Sequence, residues 1–335
     1  MKILITGVAG LLGSNLLKQL LGRGHQVTGL DDLSLGHLLN IQPFLNHPLF
    51  TFINESVLDT ETLESISSGV KVIFHFAALK IPRYGGYLQT LEVNVQGTEN
   101  ILECARKCGA RVIFASTDEV YGKNSDAIFS EGSTLVLGES RIERWSLSAS
   151  KIYGEHLCFA YAEKYGVSVS ILRYSGVYGP TFQLSRLSGV QDVFIYAALI
   201  GKAIPIHGDG TQSRPFTYIS DALDATLKVF ETPYAENEIL NIGGGQAVNV
   251  VNLAYLIWRL TGISQKPSLR FVPYTDFTRL YEDPHHRLVD GSKVRYLLGT
   301  SPQVGLEEGM RLQVEWMRTN LETIKNANPS FALES

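Results

Sequence analysis

The sequence predicts an α/β fold, a doubly wound parallel sheet with a second, smaller lobe toward the C-terminus. Three observations carry that expectation. The chain opens on a strand, a tight glycine turn and a helix in residues 1–13, MKILITGVAGLLG; a second strand, HQVTGL, ends on Asp31; strands and helices then alternate as far as Leu172. Such alternation builds parallel sheets through right-handed crossovers.

The opening is read first. Residues 2–6 form a β-branched apolar run too short for a helix, and residues 11–21 are amphipathic, with Gly7, Gly10 and Gly13 between and just inside them. Glycine at these steps allows a tight turn, close approach of the backbone to a pyrophosphate and close packing of helix on strand, with the helix N-terminus facing the phosphates. Asp31, at the end of the second strand, is placed to accept hydrogen bonds from both adenosine ribose hydroxyls and to repel a 2′-phosphate. The expected cofactor is therefore NAD rather than NADP.

Residues 32–58 hold loops, a proline-interrupted helix and a third strand, LFTFIN, whose end near Glu55 is expected beside the adenine. The fourth strand, over 70–78, stops in Ala77 and Ala78, small residues suited to a backbone that passes close to a cofactor. His75 within it, flanked by Phe74 and Phe76, reads as a structural histidine. A helix is expected over 90–109 with Gly109 as its cap, and then a fifth strand, ARVIFAST, that ends in Ser116, Thr117, Asp118 and Glu119. Polar side chains at the carboxyl end of a buried strand lie where open α/β sheets bind ligands. A helix over 148–166 carries Lys151 in its first turn, and the sixth strand occupies 167–172.

Beyond Arg173 shorter elements take over: YGP at Tyr178, the turn-rich IHGDGTQSRPFTYIS, the strand ILNIGG and a helix over 250–260. The expected division is a Rossmann-type domain of residues 1–173 and 216–244, a ligand-binding lobe of 174–215 and 245–325, and a loose tail over 326–335. Arg214, Arg287, His285 and His286 are the cations available in the lobe for a diphosphate, and the guanidinium fork matches paired phosphate oxygens better than other cations do.

Composition narrows the partners. The 335 residues are 44% hydrophobic and 19% charged, with a net charge of −4 and a pI near 6.1. That is the profile of a globular enzyme without the basic footprint of a nucleic-acid or lipid binder. The N-terminus enters a strand at once and no apolar run reaches membrane-spanning length, so a cytoplasmic protein is expected. Cys104, Cys108 and Cys158 are too few for a disulfide framework and read as small core residues, and no metal site is expected.

Seven stretches in register carry a resemblance: TGVAGLLG from Thr6, HFAA from His75, NVQGT from Asn94, STDEVYG from Ser116, SASK from Ser148, YGP from Tyr178 and GDGTQSRPFTYISDA from Gly208. Over nearly its whole length the chain resembles the extended short-chain dehydrogenase/reductase family, in particular its nucleotide-sugar epimerases, 4,6-dehydratases and decarboxylases. The resemblance implies a nucleotide-diphosphate sugar (UDP or dTDP) as substrate and NAD as cofactor, with Leu11, Leu12, Asp32, Lys80, Asn94 and Lys151 joining Gly7, Gly10, Asp31, Ala77 and Ala78 around it. It implies a homodimer through the helices over 90–109 and 148–166. Substrate contacts are implied at Thr117, Tyr84, Arg214 and Arg287. In such enzymes a sugar hydroxyl, usually at C4, is oxidised while a Tyr takes its proton, a Lys four residues later lowers the Tyr pKa, and a Ser or Thr orients the sugar. By position Thr117 is the orienting hydroxyl and Lys151 the lysine, while Asp118 and Glu119 match the acid and base of the dehydratases. Arg144, Trp145 and the tract KIPRYGGY instead resemble epimerase- and decarboxylase-like members.

Where the family tyrosine belongs, this chain has Leu147, which cannot take a proton. Smaller departures are Ser56, where an Asp is common, and Gly176, where an Asn often follows the sixth strand. An enzyme with a different base is therefore expected, Glu119, Asp118, Tyr84, Tyr121 or Tyr178, the alternative being a protein that binds NAD and a nucleotide sugar with little or no turnover.

Overall fold

The computed structural model describes all residues except 81–85, 186–187, 245–246, 275–281, 285, 332 and 334–335. The expectations for Tyr84 and His285 lie outside the described residues. The first half alternates through β1 (Lys2–Thr6), α1 (Leu11–Gly22), β2 (Gln26–Leu30), β3 (Phe50–Ile53), α2 (Thr60–Ser67), β4 (Val72–His75), α3 (Tyr87–Leu91), α4 (Gly97–Cys108), β5 (Arg111–Thr117), α5 (Trp145–Tyr165) and β6 (Val169–Tyr174). The chain then leaves the sheet through β7 (Val177–Tyr178), α6 (Val190–Leu199), β8 (Ile204–His207), β9 (Ser213–Arg214) and β10 (Thr217–Tyr218). It returns in α7 (Ile219–Glu231) and β11 (Glu238–Ile242), and closes with β12 (Val248–Asn249), α8 (Val250–Thr261), β13 (Leu269–Val272), α9 (Ser292–Leu298), α10 (Leu306–Thr319) and α11 (Leu321–Ala327).

Seven strands form one sheet in the order β3-β2-β1-β4-β5-β6-β11, every neighbouring pair parallel. The order reverses between β1 and β4. Connections leave in opposite directions there and open a crevice at the carboxyl ends of the strands. Every residue of β4 and β6 is buried, because helices cover both faces of the sheet. Leu16, Leu17 and Leu20 of α1 pack with Ala222 and Leu223 of α7 on one face, and Ile101 and Leu102 of α4 with Cys158 and Tyr161 of α5 on the other. A separate core joins Phe194 and Ile195 of α6, Leu253 and Ile257 of α8, and Met310 and Val314 of α10 around Ile204 and Ile206 of β8. Asn328 accepts from Leu184 N and donates to Phe182 O, and Phe331 meets Tyr196 edge to face, so these residues of the tail rest on the lobe.

Three local expectations differ from what forms. β4 leaves the ladder after Phe76 N donates to Thr6 O at 3.1 Å, which carries Ala77 and Ala78 into the crevice instead of along the sheet. The helix over 90–109 is split into α3, a π turn at Glu92–Gln96 and α4, and Gly109 caps α4 at φ +68°. Residues 38–44 form two 3-10 turns, Leu38–Asn40 and Gln42–Phe44, with Pro43 inside the second.

Candidate active site

The glycine turn lies at the reversal of the sheet. Gly7 adopts φ +71°, and a Cβ there would fall 2.7 Å from Ala77 N; one on Gly13 would fall 2.2 Å from Gly7 O. No side chain fits at either position. The wall of the resulting cleft, about 250 Å³, includes Gly7, Gly10, Leu11, Leu12, Asp31, Asp32, Ala77, Ala78 and Lys80. Glu55 at the end of β3 also lines it. Asp31 is buried and receives Ala9 N at 2.8 Å on one carboxyl oxygen and Leu33 N at 2.9 Å on the other. Burial pushes its pKa up, and the two backbone donors oppose that. The carboxylate is thus fixed across the mouth of the glycine turn, with lone pairs left for ribose hydroxyls. Asp32 instead receives Ser34 N and Ser34 Oγ.

Asn94 and Lys151 do not line this cleft but sit behind it. The π turn presents Asn94 so that Leu79 N donates to it at 2.8 Å while its own amide donates to Leu79 O and Ser150 Oγ, pinning the loop after β4 to α5. Inserted π turns of this kind recur at functional sites. Lys151 Nζ donates to Ala115 O at 2.7 Å and lies 4.7 Å from the centre of the Phe114 ring. Burial pulls its pKa down to about 8. His75 joins Thr6 Oγ1 on one ring nitrogen and Thr98 Oγ1 on the other, and burial lowers its pKa to about 3, so it is a neutral link between β1, β4 and α4.

At the end of β5 the chain turns at once into a single 3-10 turn, Asp118–Tyr121, whose first backbone donor is capped by half-buried Thr117: Glu119 N donates to Thr117 Oγ1 at 3.2 Å. Asp118 and Glu119 are 4% and 6% exposed. Two buried acids side by side need counter-charges, and three arginines from distant segments supply them. Arg287 donates to Glu119 and lies 3.6 Å from Asp118; Arg144, just before α5, also donates to Glu119. Asp283 then joins Arg144 at 3.3 Å to Arg214 at 2.6 Å. Arg214 and Arg287 are thus together beside the acidic pair, engaged by carboxylates. Burial and the neighbouring Arg287 bring the Arg214 pKa down to about 10. Asp118 is held differently from Glu119: Ser175 Oγ donates to it at 2.7 Å, and burial raises its pKa against the pull of Arg287.

Comparison with known proteins decides the family. Residues 3–243 match the model of the NAD dependent epimerase/dehydratase family. The chain belongs to that family. A UDP-N-acetyl-alpha-D-glucosaminuronate decarboxylase of Bacillus cytotoxicus is 34% identical over 95% of this chain and 98% of its own. Among solved structures, a dTDP-glucose 4,6-dehydratase of Streptomyces venezuelae with NAD bound superimposes with a TM-score of 0.88 at 29% identity, covering 98% of this chain and 100% of that one. A UDP-glucuronic acid 4-epimerase of Bacillus cereus, in complex with UDP-glucuronic acid and NAD, gives 0.85 at 29% identity, over 95% and 99% of the two chains. This epimerase/dehydratase family member is an NAD-dependent enzyme, and the glycine turn with Asp31 across its mouth fits the dinucleotide.

Leu147, four residues before Lys151 where the resemblance puts a tyrosine, is 8% exposed on the first turn of α5. Two of the tyrosines weighed as its replacement are built into the scaffold. Tyr121 is fully buried, donates to Asn241 at 2.7 Å, accepts from Arg173 at 3.0 Å and stacks on Phe129. Tyr178 is buried among Phe216, Tyr218 and Gly309 in the lobe, and burial raises its pKa. Neither hydroxyl is available as a base. Gly176 is explained by sterics, since at φ +57° a Cβ would fall 2.0 Å from Pro215 O. Beneath the acidic turn, Arg173 of β6 and Glu155 of α5 form a buried ion pair, and Ser116 Oγ donates to Glu155. Sequence reasoning missed Ser175, Glu155 and Asp283. Only Glu155, one helical turn after Lys151, carried a usable spacing signal.

Proposed function

We propose that this enzyme remodels the sugar of a UDP- or dTDP-sugar through transient oxidation of a ring hydroxyl, with the Asp118 carboxylate as the base that replaces the missing tyrosine. Bound NAD would supply the hydride acceptor for that oxidation and return the hydride later. The observation that carries the reading is the buried Asp118–Glu119 pair at the carboxyl end of β5, ringed by arginines. Glu119 gives an oxygen to each of two guanidiniums and serves to hold them. Asp118 has the weaker ion pair, and its proton affinity is raised by burial, which suits a general base. Thr117 orients the sugar hydroxyl beside it, and Arg214 and Arg287 face the diphosphate. Gly7, Gly10, Leu11, Leu12, Asp31, Asp32, Ala77, Ala78 and Lys80 hold the dinucleotide, with Asn94 and Lys151 fixing the wall behind it. No described helix is long and apolar enough to cross a membrane. The reading places the enzyme in the cytoplasm as a homodimer joined through α4 and α5, where Tyr153 and Tyr165 stand half-exposed.

The test is a panel of UDP- and dTDP-sugars, uronic acids included, with NAD, followed by the NADH absorbance and by product mass. Transient NADH on at least one sugar is expected. An unchanged mass then marks epimerisation, a loss of water dehydration and a loss of carbon dioxide decarboxylation. Silence across the panel contradicts turnover and leaves the binding-only reading, which Leu147 alone favours.

A further inference from the structure

Two residues in the wall of the glycine cleft, Val177 and Gln183, come from the chain beyond β6, and Gln183 brings the one polar side chain of the two. It is half-buried, and its carboxamide makes no hydrogen bond with any described residue. Donors for a phosphate are scarce in this wall: among its described residues Asp31, Asp32 and Glu55 are acidic, Ser34 is spent on Asp32, and Lys80 is the only cation. We propose that Gln183 is a cofactor-binding residue supplied by the lobe, donating from its carboxamide to the pyrophosphate of NAD, and that Asn40 is the positioning residue that holds it there. This rests on the dinucleotide reading of the cleft and not on the identity of the sugar.

The segment that carries Gln183, residues 181–184, is pinned from both sides. Asn40 accepts from Phe182 N at 3.0 Å and donates to Thr181 Oγ1 at 3.3 Å, and the same amide donates to Ala9 O at 2.8 Å. Ala9 stands inside the glycine turn, between Gly7 and Gly10, and its own N–H is the one that holds Asp31. Asn40 therefore fastens a lobe segment directly to the turn that faces the phosphates. On the other side Asn328 accepts from Leu184 N at 3.0 Å and donates to Phe182 O at 2.9 Å, and Phe182 meets Trp316 edge to face. Thr181 Oγ1 also accepts Gln183 N at 3.3 Å, so the backbone of Gln183 is set while its side chain is left for a ligand. The first turn of α1, with Gly10 as a cap that has no side chain, offers backbone donors to the same phosphates. A half-buried carboxamide is costly to leave without an acceptor, and an anionic oxygen is the strongest one it can meet.

The test is NAD affinity by calorimetry, on protein freed of any copurified dinucleotide, with thermal unfolding of each variant to show that it is folded. Gln183→Ala should weaken NAD about 10-fold, the scale of one hydrogen bond to a charged group. Gln183→Glu keeps the size of the side chain but turns a carboxylate toward the phosphates, so it should weaken NAD further, whereas Gln183→Arg should match or exceed wild type. A side chain that only packs would not give that order. Asn40→Ala should also weaken NAD, and Gln183→Ala added to it should cost little more, because the segment is already released. NAD affinity unchanged in a folded Gln183→Ala protein overturns the contact, and losses that simply add in the double variant overturn the positioning role of Asn40. No NAD binding by wild type would overturn the dinucleotide reading of the cleft and this inference with it.

Discussion

The two ends of the site are built from different materials. The dinucleotide end is backbone: glycines with no room for a Cβ, a helix N-terminus, and a carboxylate pinned by two main-chain donors within one stretch of the chain. The end proposed to react is side chain: three acids and three arginines drawn from residues 118–119, 144, 214, 283 and 287. Backbone geometry tolerates almost no change without losing function, whereas a side-chain network can lose one member and be rebuilt around another. Leu147 sits at the end that can be rebuilt.

That contrast is broken if damage at one end spreads to the other. Gly13→Val forces a side chain into Gly7 O and Val8 Cα, at 2.2 and 2.7 Å even for its Cβ. Overpacking of that kind typically costs about 1–3 kcal/mol, so NAD affinity should fall up to ~100-fold. UDP binding by the same protein, measured by calorimetry, should persist, and its loss would mean that the two ends are one unit. Asp31→Ala is the gentler cut, removing ribose acceptors and a negative charge while leaving the glycine turn. NAD should weaken by about one hydrogen bond to a charged group, roughly 1.5–3 kcal/mol, and the preference over NADP should narrow. Equal affinity of wild type for the two dinucleotides would remove the role assigned to Asp31.

The same contrast explains what could be read in the sequence. β1 and the glycine turn, Asp31, the polar end of β5 and the Gly109 cap all follow from local spacing, and the parallel pairing of the sheet follows from the alternation. The π turn at Glu92–Gln96 has no local signature, since its extra residue serves to aim Asn94 at Leu79 and Ser150. Arg214 and Arg287 were legible as cations near the site and Asp118 and Glu119 as its acids, but neither the pairing of Arg287 with those acids nor Asp283 as the partner of Arg214 was. Asp283 and Arg144 meet only because the lobe folds back over α5, a long-range contact that no window of sequence contains. Tyr121 and Tyr178 looked like candidate bases for the same reason, their burial being set by Asn241, Arg173 and Gly309, all far away in the chain.

The most direct test of Asp118 as the base is the turnover of wild type, Asp118→Asn and Leu147→Tyr on one responsive sugar, measured across pH. A carboxyl whose pKa is raised by burial must lose its proton before it can act, so the wild-type rate should climb with pH through a midpoint above the ordinary carboxylate range and then level off. Asp118→Asn should cost ~10²- to 10⁴-fold, the usual worth of a general base, and Leu147→Tyr should bring no gain. A silent wild type that Leu147→Tyr revives would contradict the assignment.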